Sequence, residues 1–171
     1  MLIIFGGLPG TGKTTISRAV AKHLKTVFLR IDTVEQAFKN SGHLEKNFIG
    51  PEGYLISYAI AKENLGLGLT VIADSVNPIA ITRQGWQEVA KSINVKFLEI
   101  EIICSDLNEH KKRVETRTPD IVGHKLPTWE EVKTRDYEEW DSALLRIDTA
   151  EYSTDEAVKR ILMYIHNNIE S

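Results

Sequence analysis

The sequence predicts an α/β fold, a parallel sheet covered by helices on both faces. Short, continuously apolar runs alternate with longer amphipathic stretches along the whole chain. Uninterrupted apolar strands are what a sheet buried on both faces requires. The first such run also ends in a glycine-rich turn that leads directly into a helical stretch.

Taken in order, Leu2–Phe5 reads as a buried strand and Lys13–Lys25 as the helix after the turn. Thr26–Ile31 is a second strand. A helix then starts near Asp32 or Thr33, with Thr33 and Gln36 as a capping box. Residues Ser41–Pro51 are polar with Gly-Pro punctuation and read as a loop. From Glu52 the spacing Leu55, Tyr58, Ala59, Lys62, Leu65 suits an amphipathic helix. The strand Leu69–Asp74, a helix over Ile79–Ile93 and the strand Val95–Ile103 follow. Ser105 or Asp106 can cap a helix to about Thr118, after which Pro119–Pro127 is a loop. Thr128 and Glu131 form a second capping-box signature, for a helix through about Trp140. Leu144–Asp148 is a last short strand and Thr154–Ile169 a closing helix. The string Leu-Arg-Ile-Asp-Thr occurs at 29–33 and again at 145–149, and reads as two similar strand ends.

At 171 residues the chain fits one domain, 1–171, with a sizeable core. Its 42% apolar and 26% charged content is that of an ordinary globular protein. The net charge of -3, from 21 basic and 24 acidic residues, gives no broad electrostatic footprint for a polyanion. The single cysteine, Cys104, fits a reducing compartment and a buried strand-end position. The N-terminus lacks the basic region and length of a signal peptide, and no run approaches the roughly 20 apolar residues of a bilayer span. A cytoplasmic location, with no membrane partner, is the expectation. The oligomeric state is not readable.

Gly7-Leu8-Pro9-Gly10-Thr11-Gly12-Lys13-Thr14 matches G-x-x-x-x-G-K-[ST] in full, between a strand and a helix. Glycines let the backbone coil so that successive N–H groups point at phosphate oxygens. The helix beginning at Lys13 and running through Thr15 adds its N-terminal donors and positive dipole end. Lys13 can reach the β- and γ-phosphates, and the Thr14 hydroxyl can ligate Mg²⁺. Lys13 is the cradle's only cation, so its removal is expected to weaken phosphate binding greatly, abolish any transfer and leave the fold intact. The guanine-reading N-K-x-D string is absent, which makes ATP the expected nucleotide.

Val71-Ile72-Ala73-Asp74 is an apolar strand ending in an acid, which can help hold Mg²⁺ beside Thr14 or simply end the strand in a turn. Asp32 ends the second strand. A carboxylate there can face the γ-phosphate and take the proton of an attacking hydroxyl, or it can serve as a helix cap, with Glu35 three residues on. Arg113 and Arg117, four apart on one helix, can close over phosphates from a mobile lid or form a solvated basic face with Lys111 and Lys112.

The Gly7–Thr14 loop, Asp32, Asp74 and the Arg113/Arg117 pair together resemble the P-loop kinase superfamily. Within it the chain is similar to a group of small kinases that includes chloramphenicol phosphotransferase, zeta-toxin kinases and the kinase part of polynucleotide kinase. The likeness covers nearly the whole chain in element order. It implies a three-layer fold with a five-stranded parallel sheet of order 2-3-1-4-5, ATP and Mg²⁺ as cofactors, and a helical lid at about 106–140. It also implies transfer of the γ-phosphoryl group to a hydroxyl of a small molecule. Asp32 then matches the hydroxyl-activating aspartate, and Arg113 and Arg117 the lid arginines. Polynucleotide kinases carry an arginine three residues after that aspartate, where this chain has Glu35, which disfavours a nucleic-acid acceptor. Nucleotide or nucleic-acid end kinase, and non-catalytic ATP-binding regulator, remain the alternative readings.

The acceptor itself is not named by the sequence. Its contacts are expected from Thr33–Pro51, the helix from Glu52, and Asn77–Trp86. Arg83, His43 and His124 can each either touch it or be ordinary surface residues. Trp86, Trp129, Tyr137 and Trp140 sit at spacings typical of packing.

Overall fold

The computed structural model describes residues 1–42, 51–140 and 145–169. Five strands, β1 (Leu2–Gly6), β2 (Val27–Arg30), β3 (Val71–Asp74), β4 (Phe97–Ile103) and β5 (Leu145–Asp148), form one parallel sheet of order β2-β3-β1-β4-β5. The helices are α1 (Lys13–Leu24), α2 (Ile31–Asn40), α3 (Glu52–Gly66), α4 (Ala80–Ser92), α5 (Leu107–Thr116), α6 (Trp129–Lys133) and α7 (Thr154–Ile169). The strand order and three layers are those the kinase resemblance implies.

The apolar run of β1 is buried throughout because strands flank it on both sides. Alternate side chains serve opposite layers, as strand geometry dictates. Ile3 and Phe5 join Ile16, Val20, Ile161 and Ile165 of α1 and α7. Leu2 and Ile4 join Ala61, Leu65, Trp86, Val89 and Ala90 of α3 and α4. Cys104 is buried just past β4, as its position suggested. Among the described residues, no helix is long and apolar enough to cross a membrane.

β3 and β4 each start two residues later than expected, at Val71 and Phe97, and three helix ends differ for identifiable reasons. α2 begins at Ile31 with Arg30 at the N-cap and no side-chain cap, so the Thr33/Gln36 box does not form. Gln36 instead donates to Asn40 Oδ1 at 2.8 Å. α5 stops at Thr116, two residues early, and Arg117 is already extended at φ -68°, ψ 147°. Thr118 precedes Pro119, and a residue before proline is forced away from helical geometry.

α6 forms the expected Thr128/Glu131 capping box but ends at Lys133, where a helix to Trp140 was expected. Tertiary bonds capture the following segment. Glu138 N–H donates to the Pro78 carbonyl at 2.8 Å, and the Tyr137 hydroxyl donates to Glu101 at 3.0 Å. Trp140 is buried against β1. The predicted loop Ser41–Pro51 lies mostly in 43–50, outside the described residues.

Gly6 shows how closely this segment is packed. A Cβ there would overlap the buried Trp140 ring, and its backbone is not in the left-handed region, so only space forbids a side chain. Gly6→Ala is therefore expected to destabilise the protein by about 1–3 kcal/mol through overpacking. Urea unfolding reads this as a lowered midpoint. A wild-type midpoint would mean that Trp140 is not fixed against β1.

Candidate active site

The carboxyl ends of the parallel strands carry the polar groups, which is where ligands of open α/β sheets bind. β1 leads into the Gly7–Thr14 loop. Gly7 adopts φ 138°, and a Cβ on it would strike the Ile102 carbonyl, so only glycine lets the loop turn there. The loop is held from behind. Thr11 Oγ1 donates to the Leu8 carbonyl at 2.9 Å, and Thr149 Oγ1 donates to the Thr11 carbonyl at 2.8 Å. His110 Nε2 lies 2.9 Å from the Pro9 carbonyl. α1 then starts at Lys13 with Gly12 at its N-cap and no side-chain cap, which leaves its first N–H groups for a ligand.

A cleft of about 1020 Å³ opens over this loop. Leu8, Pro9, Gly10, Gly12, Lys13, Thr14 and Thr15 line it, whereas Gly7 and Thr11 shape the loop without lining the cleft. Asp32, Glu35, Arg117 and His124 face the same space. A smaller hollow of about 480 Å³ continues from Gly12 and Thr15 along Arg113 and Thr149 to Tyr152.

At the floor, Lys13 Nζ donates to Asp74 Oδ1 at 2.7 Å and lies 3.5 Å from Thr14 Oγ1. Both charged side chains are almost wholly withdrawn from solvent. Asp74 Oδ2 is buried without a hydrogen-bond partner. Thr14 and Asp74 thus offer two hard oxygens around one ammonium, a donor set that fits Mg²⁺.

The β2–β3 register places Arg30 beside Asp74. Its guanidinium reaches three acids. Nη1 donates to Asp120 Oδ2 at 2.7 Å, Nη2 donates to Asp32 Oδ2 at 3.3 Å, and Nε lies 3.9 Å from Asp74 Oδ2. Arg18 Nη2 also donates to Asp120 Oδ2, at 2.8 Å. Burial alone would push the Arg30 guanidinium down. The Asp120 bond and the charges of Asp32, Asp120 and Asp74 outweigh it and raise it above the ordinary arginine range.

Asp32 lies in the first turn of α2, not at its cap, with its side chain about one-third exposed in the cleft. The capping alternative for Asp32 is thereby removed. Burial, then the nearby Asp32 charge, raises the Glu35 carboxyl above its ordinary range.

The two arginines expected to share a helix face part company. Arg113 donates to Glu109 at 2.9 Å and to Thr149 Oγ1 and O at 2.8 and 3.1 Å, so it fastens α5 to the segment after β5. Arg117, just past the helix, presents Nε and Nη2 buried and without partners. Burial is the main reason that its guanidinium is lowered, with Arg30 adding to it. Arg83 is neither an acceptor ligand nor a surface residue. It is buried, donates to the Glu138 carbonyl at 3.0 Å and sits 5.1 Å from the Trp140 ring centroid. His124 Nδ1 is buried without a partner at the cleft wall. His43 lies outside the described residues.

Arg18, Arg30 and Asp120 are among the cleft residues that sequence reasoning missed. The available signal was Arg30 inside the doubled Leu-Arg-Ile-Asp-Thr string, a charge in the last position of a strand otherwise apolar. Its counterpart Arg146 pairs with Glu101 at 2.6 Å.

The Lys13–Asp74 pair corrects the expectation that Lys13 has no structural part. Removing one partner of a buried ion pair leaves an uncompensated charge, typically a loss of about 3–5 kcal/mol. Lys13→Ala should therefore weaken nucleotide binding and also lower the urea midpoint, and adding Asp74→Asn should recover much of the stability. Titration calorimetry and urea unfolding check the two effects. A wild-type midpoint for Lys13→Ala would show that the pair does not support the fold.

Residues 2–133 match the AAA domain family. Shikimate kinase from Pelotomaculum thermopropionicum is 27% identical over 183 positions, covering 98% of this chain and 98% of its own. L-seryl-tRNA(Sec) kinase from Methanococcus maripaludis is 28% identical, covering 98% of this chain and 67% of its own. Among solved structures, Chaetomium thermophilum Kti12 in complex with ADP-AlF3 superposes with a TM-score of 0.69 at 23% identity, over 95% of this chain and 97% of that one. That likeness concerns the fold. On the extent of its family match, with the phosphate loop and strand order described above, the chain belongs to the AAA domain family and carries the P-loop kinase fold.

Proposed function

We propose that the chain is an ATP-dependent kinase that moves the γ-phosphoryl group of ATP·Mg²⁺ onto a hydroxyl of a small molecule, in the cytoplasm. The observation that carries this reading is Asp32, a carboxylate standing free of any capping role in the same cleft as the phosphate loop. A regulator that only binds nucleotide needs no such acid.

On this reading the phosphates lie in the Gly7–Thr14 loop and Lys13 turns from Asp74 to the β- and γ-phosphates. The base lies in the hollow by Thr149–Tyr152, whose wall Arg113 fixes. Thr14 and Asp74 would hold Mg²⁺, which would neutralise phosphate charge. Asp32 orients the acceptor hydroxyl and takes its proton. The hydroxyl oxygen forms the new bond to the γ-phosphorus as the bridging oxygen departs with ADP. Arg117, with two donors unpaired, faces the equatorial oxygens over which charge spreads.

Similarity to shikimate kinase supports a small acceptor. Similarity to L-seryl-tRNA(Sec) kinase favours a second reading, a hydroxyl carried on RNA, against which stand Glu35 in the cleft and the net charge of -3.

The test is transfer from γ-labelled ATP to pooled alcohols. Asp32→Asn should bind ATP·Mg²⁺ normally and unfold normally, but transfer about 10²–10⁴-fold more slowly. Unchanged transfer would remove Asp32 from the mechanism. Arg117→Ala should lower kcat by roughly 10³-fold with little change in nucleotide affinity. Near-normal turnover would reassign Arg117 to a binding or structural part.

A further inference from the structure

The phosphate side of the cleft accounts for Lys13, Thr14, Asp74 and Arg117, but not for Arg18 and Arg30. Arg30 is 91% buried by residue, and it ends β2 two positions before Asp32. Its strongest bond is to Asp120, 90 positions away. Asp120 belongs to neither a helix nor a strand, and its side chain is nearly half exposed. Both of its arginine contacts run to one oxygen, Oδ2. A carboxylate on an irregular segment thus enters the cleft and meets two guanidiniums that come from the rigid α1 and β2.

We propose that Arg18 and Arg30 form an anion subsite for the acceptor, and that Asp120 occupies it as a tethered substitute. The proposal rests on reading the cleft as a kinase acceptor site. Three physical arguments carry it.

First, a guanidinium buried to this degree needs an anion. Without Asp120, Arg30 Nη1 and Arg18 would lose their shortest charge-assisted bonds. The demand is for an oxyanion, a carboxylate or a phosphate, because the fork of an arginine matches either.

Second, the position fits an acceptor and not the nucleotide. Nη1 and Nη2 of the same guanidinium touch Asp120 and Asp32. An anion that replaces Asp120 therefore lies beside a hydroxyl presented to Asp32. The acceptor class this selects is a hydroxy acid or a hydroxyalkyl phosphate whose two groups are only a few bonds apart.

Third, Asp120 stands on an irregular segment with its side chain nearly half exposed, where a ligand anion can compete with it. The Arg30 and Arg18 bonds hold its carboxyl well below the usual carboxylate range, so it stays charged at neutral pH and competes as an anion. Its segment follows the α5 terminus at Thr116, beyond which no regular element is formed until α6. Displacement by a bound anion would release that segment from the cleft floor.

The experiment uses the full chain saturated with ADP·Mg²⁺ and two probes, sulfate for a phosphate-like ligand and acetate for a carboxylate. Nuclear magnetic resonance of the arginine Nε–H groups reports binding at Arg18 and Arg30 directly. Sulfate or acetate should shift those signals saturably, and the probe that binds more tightly identifies the anion class. Asp120→Asn removes a tethered competitor and should tighten binding by roughly tenfold. Arg18→Gln, at an exposed helix position that folding tolerates, should weaken it by roughly tenfold through loss of one charge-assisted bond. Arg30→Gln should abolish it. Anion binding that is unchanged or weaker in Asp120→Asn would overturn the proposal, whatever phosphoryl-transfer assays on Asp32 variants show about the kinase reading itself.

Discussion

The Lys13–Asp74 pair sets the terms for the whole cleft. Two opposite charges are withdrawn from water at the carboxyl ends of β1 and β3, at a separation of 2.7 Å. Each ion alone would cost several kcal/mol to bury, so neither can be present without the other or a substitute of the same sign. That requirement fixes the loop that delivers Lys13 and the strand that delivers Asp74. Beside it Asp74 Oδ2 and Arg30 Nε, both buried without hydrogen bonds, face each other at 3.9 Å.

Register carries the constraint outward. Because β2 pairs with β3 in parallel, Arg30 must stand next to Asp74, and Asp32 follows two residues later in the first turn of α2. A cation at the end of β2 is therefore placed between the acid that would hold metal and the acid that would take a proton. Asp120 completes the neutralisation from outside the sheet. By contrast, Arg113 is engaged with Glu109 and Thr149 at the cleft wall, and Arg83 with Glu138 beside Trp140. Charge in this protein divides into groups locked in structure and groups left facing the cleft.

The parts legible in the sequence are those encoded by neighbours along the chain. The phosphate loop and the apolar strands each declare themselves within a few residues, and element order then supplies the sheet through resemblance. Helix ends were less legible where tertiary contacts decide them. Glu138, Tyr137 and Trp140 draw the chain after Lys133 into bonds with Pro78, Glu101 and the Gly6 wall, and no local propensity reports such partners. The Arg30–Asp120 contact was hidden for the same reason, since nothing near either residue points to the other. Asp32 resembled a cap because Asp is a favoured capping residue, yet Arg30 takes that position as the strand runs directly into the helix.

The central claim is that the Lys13–Asp74 pair is a resting arrangement that nucleotide divides, the lysine turning to phosphate and the aspartate to the metal. A crystal structure with a non-hydrolysable ATP analogue and Mg²⁺ measures this directly. The account predicts Lys13 Nζ on β- and γ-phosphate oxygens, with Asp74 facing Mg²⁺ beside Thr14, directly or through water. A bound analogue with Lys13 Nζ still 2.7 Å from Asp74 Oδ1 would contradict it.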